Sequence, residues 1–221
     1  MAVRGMFDRI SPTYDLLNRL LSFGVDRRWR RRALGELTRE LPQGPLLDLC
    51  AGTLDLSCEL REAVPDRTVV AADFAREMLV AGRDKAPVAL AVADAQRLPF
   101  ADGSFAGVVC GFGMRNLADT RAGIAEVARV LKPGGAFVVL EFYRPTRPLT
   151  HVFHTLYGRM LLPAVGRLVS GDAAAYRYLS DSMLGFLTRE QFEQAMRQAG
   201  LRDVHGTDLT FGVASIVRGV K

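Results

Sequence analysis

Between residues 45 and 142 the chain alternates short apolar runs with segments whose apolar residues recur every three or four positions. The runs Pro45-Leu46-Leu47, Thr68–Ala72, Val88–Val92, Phe105–Cys110 and Ala136–Leu140 have the length and composition of buried strands. Between the first two, Leu54, Leu56 and Leu60 follow a helical spacing. Another helix is expected from near Arg76. Asp119 precedes a stripe of Ile124, Val127, Ala128 and Leu131, which Lys132-Pro-Gly-Gly135 stops. Strand and helix in strict alternation predict an open, mostly parallel α/β sheet with helices on both faces. Later, Thr188-x-x-Gln191 reads as a capping box ahead of Phe192, Ala195, Met196 and Ala199, with Gly200 closing the helix. Two last runs, Asp203–Gly206 and Phe211–Arg218, would finish the sheet with an antiparallel strand.

The first 44 residues carry no strand. Met6-Phe7, Ile10, Tyr14, Leu17 and Leu20-Leu21 recur at helical spacing, with Ser11-Pro12 as a helix start. A second helix is expected from Asp26 to Leu37, with Trp29, Ala33 and Leu37 on one face. The pair could cover the sheet's ligand edge as a lid or pad its side. Residues 143–182 show no strand either. Val152, Phe153, Leu156, Tyr157 and Met160 begin an apolar stretch that suits a packed helix or a hydrophobic substrate channel. No linker or repeat divides the 221 residues, so one domain is expected.

Chemistry gathers where the strands end. In Leu46–Asp55 the period changes from strand to helix across Ala51, Gly52 and Thr53, the strand–turn–helix unit beyond which α/β sheets bind ligands. Asp48 suits a positively charged ligand better than a pyrophosphate. Asp73 ends the second strand 21 residues past Gly52, where nucleotide-binding units place an acceptor for ribose hydroxyls; an acid capping the next helix is the plain alternative. Asp94-Ala95, Arg115-Asn116 and Glu141 follow the third, fourth and fifth strands. A G-x-G-x-x-G dinucleotide fingerprint is absent, which excludes the usual nicotinamide oxidoreductase.

Charge adds one local feature. The net charge is +5, and five arginines fall within Asp26–Arg32. They form a solvated helix face or a contact for anionic lipid headgroups; nothing interleaves them with aromatics as nucleic-acid binding would want. Cys50, Cys58 and Cys110 are unpaired in pattern and read as reduced core residues of a cytoplasmic protein. His151 and His154 lack acidic or thiol partners, so no metal site is expected. No uncharged run reaches the length of a membrane span.

Several longer segments resemble one family. Met6–Asn18, Leu21–Trp29, Gly111-Phe-Gly-Met-Arg-Asn116, Arg129–Gly135 with Glu141-Phe142, Tyr176–Ser182 and Leu209–Val213 are similar to the S-adenosylmethionine (SAM) dependent enzymes that C-methylate the quinol ring in menaquinone and ubiquinone biosynthesis. The resemblance implies a Rossmann-like class I methyltransferase fold. It also implies a layout of N-terminal helical lid (1–44), SAM-binding core (45–142), helical substrate-side insertion (143–187) and C-terminal completion of the sheet (188–221). Asp48, Gly52 and Thr53 would line the methionine part of SAM, Asp73 its ribose and Asp94 and Ala95 its adenine. Tyr14, Arg115 and Asn116 would sit near the transferred methyl, with Arg115 favouring a quinol oxyanion. The substrate would be a prenylated quinol, menaquinol precursors ahead of ubiquinol ones, met at the inner face of a membrane. The assembly state stays open, a homodimer included. Four positions depart from the family pattern: Leu54 replaces a glycine, Asp26 a histidine, Leu17 a methionine and Tyr143 a serine. The alternatives are a methyltransferase for another aromatic or lipid acceptor, and a SAM-fold protein without catalysis, which Leu54 motivates.

Overall fold

The computed structural model describes residues 24–146 and 181–221, with Gly5, Thr150 and Tyr178 besides. Tyr14, the helix expected after Pro12, His151, His154 and the apolar stretch from Val152 lie outside the described residues. Seven strands form one sheet: β1 (Leu46–Leu49), β2 (Val69–Asp73), β3 (Ala89–Val92), β4 (Phe105–Gly111), β5 (Leu131–Glu141), β6 (Arg202–Leu209) and β7 (Ala214–Val220). Their order is β3-β2-β1-β4-β5-β7-β6. The first five are parallel, and β7 runs antiparallel to both β5 and β6. β4 reads as an unbroken apolar run, and β1 as one broken only by Asp48, because both faces of these strands are covered.

Side-chain alternation sorts the core into two layers. Leu46, Val69, Val109 and Val138 face α1 (Val25–Leu37) and α2 (Asp55–Ala63). On the same side, α3 (Arg76–Gly82) buries Leu79 against Ala51 and Ala71. Leu47, Val108, Phe137 and Val139 face α4 (Thr120–Val130) and α5 (Arg189–Gln198). Asp119 caps α4 by accepting from the backbone N–H groups of Arg121 and Ala122, and Thr188 with Gln191 closes the capping box of α5, as the sequence predicts.

The structure changes two expectations and, for one helix, decides between two that were open. Leu131 begins β5 rather than ending the helix; its backbone is already extended, and Pro133 disfavours helix in the residue before it. The run from Phe211 does not start a strand. Thr210–Gly212 is a turn, and β7 starts at Ala214. Finally, α1 lies flat on the sheet beside β4, β5 and β7 with Trp29, Ala33, Leu34 and Leu37 buried, so this part of the N-terminal region pads the side. Arg30 leaves the solvated arginine face. It pairs with Asp26 at 2.5 Å and Glu59 at 2.8 Å, tying α1 to α2.

Leu54, the departure from glycine, holds a left-handed backbone with φ 68° at the start of α2. That conformation costs a side-chain-bearing residue about 1–2 kcal/mol. Full burial of the leucine against Ala51, Ala71 and Leu79 offsets it by about 1.5–3 kcal/mol. The side chain therefore points into the core and not toward the ligand edge. Gly82 makes room for it: a Cβ there would lie 2.3 Å from the Thr53 carbonyl oxygen and 2.8 Å from Leu54 Cγ. Gly82→Ala is accordingly expected to destabilise the protein by about 1–3 kcal/mol. Gly35→Ala, whose new methyl on the exposed side of α1 meets nothing within 4 Å, should stabilise it by up to about 1 kcal/mol. Thermal unfolding of both variants checks the pair, and equal shifts would refute the packing argument.

Candidate active site

The chain leaves β1 toward α2 on one face of the sheet and leaves β4 toward α4 on the other, although the two strands are neighbours. A crevice must open where the two connections part. Beyond β1 and β4 the backbone turns left-handed at non-glycine residues, Cys50 and Phe112, both at φ 58°. Residues held in such conformations gather at functional sites. Between them lies a cleft of about 430 Å³.

One end of the cleft is acidic. Asp73 accepts the Gly52 N–H at 2.9 Å on one carboxylate oxygen and the Ala75 N–H at 2.8 Å on the other. The loop after β1 is thereby pinned to the end of β2. Asp94 accepts from the Gln96 backbone N–H at 2.9 Å, and the Gln96 side-chain Oε1 accepts the Asp119 N–H at 2.7 Å. Gly52, Asp73, Asp94 and Ala95 all line the cleft, as do Phe74, Met78 and Leu117. Gln96, which fixes the Asp94 loop, carried no signal in the sequence.

Asp48 and Thr53 are not on the cleft wall. β1 runs one residue past Asp48, and alternation turns the aspartate sideways under α2. It is fully buried and accepts the Ser57 hydroxyl at 2.5 Å, while its other oxygen has no partner among the described residues. Burial pushes its carboxyl up to about 7, against the opposing hydrogen bond from Ser57. Thr53 is buried in the turn into α2. Cys50 packs against the core as expected and also lines the cleft; its hydrogen bond with Cys110 and its burial push the thiol well up, so it stays protonated.

The other end holds Arg115, Asn116 and Tyr178. Arg115 and Asn116 belong to a 3-10 turn, Met114–Asn116, after β4. The Arg115 guanidinium donates to Glu141 at 2.6 Å, its backbone N–H to the second Glu141 oxygen at 3.3 Å, and it lies 5.8 Å over the Phe142 ring. Glu141 is fully buried, and that burial raises its pKa against the opposing pull of Arg115. Arg115, expected to favour a quinol oxyanion, is thus half of a buried ion pair. A buried arginine next to a buried acid could have been suspected, since both terminate adjacent parallel strands. Asn116 accepts the Tyr178 hydroxyl at 3.1 Å. Burial raises the pKa of Tyr178. Phe112 and Phe142 stack with centroids 4.6 Å apart, and Trp29 of α1 packs edge-on to Phe142 at 6.1 Å. Through this stack the start of α1 reaches the cleft edge. Tyr178 and the aromatic stack were not anticipated as site residues.

Comparisons with known proteins agree on one kinship. A sequence model described as the ubiE/COQ5 methyltransferase family matches residues 1–221. A protein named demethylmenaquinone methyltransferase from Deinococcus radiodurans is 45% identical, over 100% of this chain and 92% of its own. One of the same name from Thermus thermophilus is 47% identical, over 96% and 97%. Among solved structures, a SAM-dependent methyltransferase of Thermotoga maritima superposes with a TM-score of 0.70 at 18% identity, covering 98% of this chain and 99% of its own. That identity supports the fold alone.

The two buried acids make distinct predictions. An acid whose folded pKa is raised stabilises most below its unfolded value; that contribution fades as pH rises through the folded pKa. For Asp48 the window runs from 3.8 to about 7, and the penalty above it is on the order of 4 kcal/mol. Asp48→Asn removes the charge but leaves one buried amide donor unpaired, at about 1–3 kcal/mol. The variant should therefore be more stable than the native protein at pH 8, and the advantage should vanish near pH 4. Denaturant unfolding at both pH values measures this; an advantage independent of pH would place the cost elsewhere. Arg115→Gln alone should destabilise by about 3–5 kcal/mol, because Glu141 is left buried and unpaired. Arg115→Gln with Glu141→Gln should recover most of that loss, which a double-mutant cycle reads directly.

Proposed function

The chain belongs to the ubiE/COQ5 methyltransferase family, and from that premise we infer what its cleft does. It is a SAM-dependent C-methyltransferase that methylates the ring of a prenylated quinol, converting demethylmenaquinol to menaquinol. The observation that carries the reading is one cleft with Asp73 pinned at one end and Arg115, Asn116 and Tyr178 at the other.

The residues present fit the cofactor. A cleft of about 430 Å³ is within the ordinary range for a small-molecule site. Asp73, whose carboxylate is oriented by two backbone N–H groups, would accept from the ribose diol, since each carboxylate oxygen can take more than one donor. Asp94 and the backbone of Ala95 would border the adenine, with Phe74, Met78 and Leu117 as apolar walls. Gly52 would let the methionine part approach the backbone. Asp48 would act from beneath this loop, as a buried acid that a cationic ligand nearby favours in its charged form. When bound, SAM supplies an electrophilic methyl group on sulfur.

The ring carbon becomes nucleophilic once a ring hydroxyl gives up its proton, and a phenol with a pKa of about 10 resists this near neutrality. Arg115 would lower that cost, although Glu141 compensates most of its charge at long range. What survives is local: guanidinium hydrogen bonding at the cleft wall, in surroundings dry enough to strengthen it. Asn116 and the Tyr178 hydroxyl, joined at 3.1 Å, would orient the ring hydroxyl. The balance would close as follows: the ring carbon gains the methyl as the sulfur–methyl bond breaks, the sulfonium leaves as a neutral thioether, the methylated carbon loses its ring proton, and the hydroxyl is restored, one proton passing to solvent overall. Holding ring and methyl donor in line supplies a further share of the rate.

Substrates with long apolar tails reside in membranes, and no helix among the described residues is long and apolar enough to cross one. The exposed arginines of α1, namely Arg27, Arg28, Arg31 and Arg32, suit anionic headgroups at a membrane surface.

Incubation with SAM and reduced demethylmenaquinone, followed by mass spectrometry, should show the gain of one methyl on the ring. No gain with this quinol, but methylation of another phenolic acceptor, would favour the related-acceptor alternative. Asp73→Ala should weaken SAM binding by roughly 10–100-fold, the loss of charge-assisted hydrogen bonds. Asp73→Asn, which keeps one acceptor for the loop, should fall between. Calorimetry decides, and an unchanged dissociation constant in the folded Ala variant would remove Asp73 from the site.

A further inference from the structure

We propose that the turn between β6 and β7 inserts Phe211 into the apolar layer of a lipid bilayer and, with Arg28 and Arg32 of α1, holds the carboxyl edge of the sheet against the membrane. The proposal rests on the quinol-methylating reading for its purpose, but its physical basis is separate.

Phe211 is 90% exposed, while Leu90 and Val92, the other large apolar side chains exposed among the described residues, reach 43% and 55% on the edge strand β3. A lone exposed apolar residue is ordinary. This one is presented by strained backbone. Thr210, Phe211 and Gly212 are successively left-handed, with φ of 44°, 57° and 87°. A β-branched residue and a phenylalanine both pay for that conformation, and the ring gains no burial in return. The turn is also braced. Trp29 Nε1 donates to Thr210 Oγ1 at 3.0 Å, and Thr150 Oγ1 donates to the Phe211 carbonyl oxygen at 3.2 Å. A braced turn with an outward aromatic ring is built to meet something apolar.

Position and charge identify that partner as a lipid surface. Glu141 at the end of β5 lies opposite Ser215 near the start of β7, so the β6–β7 turn stands at the edge where the cleft opens. The brace through Trp29 places α1 beside it. On that helix Arg27, Arg30 and Arg31 face α2. Arg28 and Arg32, one turn apart and next to Trp29 in the helical wheel, are exposed on the flank away from α2. An apolar wedge flanked by exposed cations matches an anionic bilayer, where the ring leaves water and the guanidinium groups remain among phosphates. A water-soluble acidic protein would answer the charges but not a single protruding ring.

Phe211→Asn is the informative variant, because asparagine tolerates the left-handed conformation and the fold loses no buried contact. Vesicles of pure phosphatidylcholine and of equal parts phosphatidylcholine and phosphatidylglycerol serve as probes in co-sedimentation. Phe211→Asn should lower partitioning to both by about tenfold or more, at any salt concentration, from the lost burial of one aromatic ring. Arg28→Gln with Arg32→Gln should lower it only on the anionic vesicles, and only at low salt. In Phe211→Trp, added brominated lipid should quench the new fluorescence beyond the change seen from Trp29 in the native protein. Unchanged partitioning of Phe211→Asn, or no added quenching in Phe211→Trp, would overturn the proposal. So would a shift from dimer to monomer in Phe211→Asn with vesicle binding intact, which would make the turn a contact between copies of the chain. Methylation of a short-tailed, water-soluble demethylated quinol by Phe211→Asn should equal that of the native protein. If the native protein fails on that quinol, the functional reading falls while the vesicle result stands on its own.

Discussion

The constraint on which the rest depends is the parallel pairing of β1 with β2 on one side and β4 on the other, with the following helices sent to opposite faces. Two adjacent strands whose connections diverge cannot close the space beyond their carboxyl ends. Gly52, Asp73, Asp94 and Arg115 sit at the rim of that opening because each ends, or closely follows, one of the parallel strands, while Tyr178 joins them from outside the sheet. The left-handed residues Cys50, Gly52 and Phe112 are the local cost of turning the chain away sharply enough to leave the opening clear.

The electrostatics of the opening are those of paired charges in a dry setting. Glu141 neutralises Arg115, Asp73 is held by backbone N–H groups, and Asp48, buried beneath the loop, has Ser57 as its hydrogen-bond donor among the described residues. Such an arrangement lowers the stability of the free protein, since each buried charge is desolvated. It also pre-orients the groups, so that a ligand meets hydrogen-bonding atoms already fixed in place. The aromatic stack of Trp29, Phe112 and Phe142 extends this dry environment outward to α1. The same tryptophan braces the β6–β7 turn, so the edge that opens the cleft and the edge that would meet a membrane share one support.

Much of this was legible in the chain. Strand and helix positions, the caps at Asp119 and Thr188, and the antiparallel ending follow from periodicity and local hydrogen-bonding chemistry, which act over a few residues. The gathering of Asp73, Asp94 and Arg115 at one edge was legible too, because parallel strands in sequence must end on the same side. The resemblance to a methylating family rested on segments such as Gly111–Asn116, and the full-length family match agrees with it.

What the sequence could not determine concerns side-chain direction and pairing between distant elements. Asp48 stands in sequence as a strand-end acid, yet one more residue of β1 turns it under α2. Leu54 reads as an obstacle in the cofactor loop, yet its left-handed backbone sends it into the core over Gly82. Arg115 and Glu141 are 26 residues apart, and Asn116 and Tyr178 are 62 apart; only the tertiary structure brings each pair within hydrogen-bond reach. Periodicity fixes which face a residue occupies along its own element. Which groups meet across elements depends on register and on where each strand stops, and those are decided by the whole core at once.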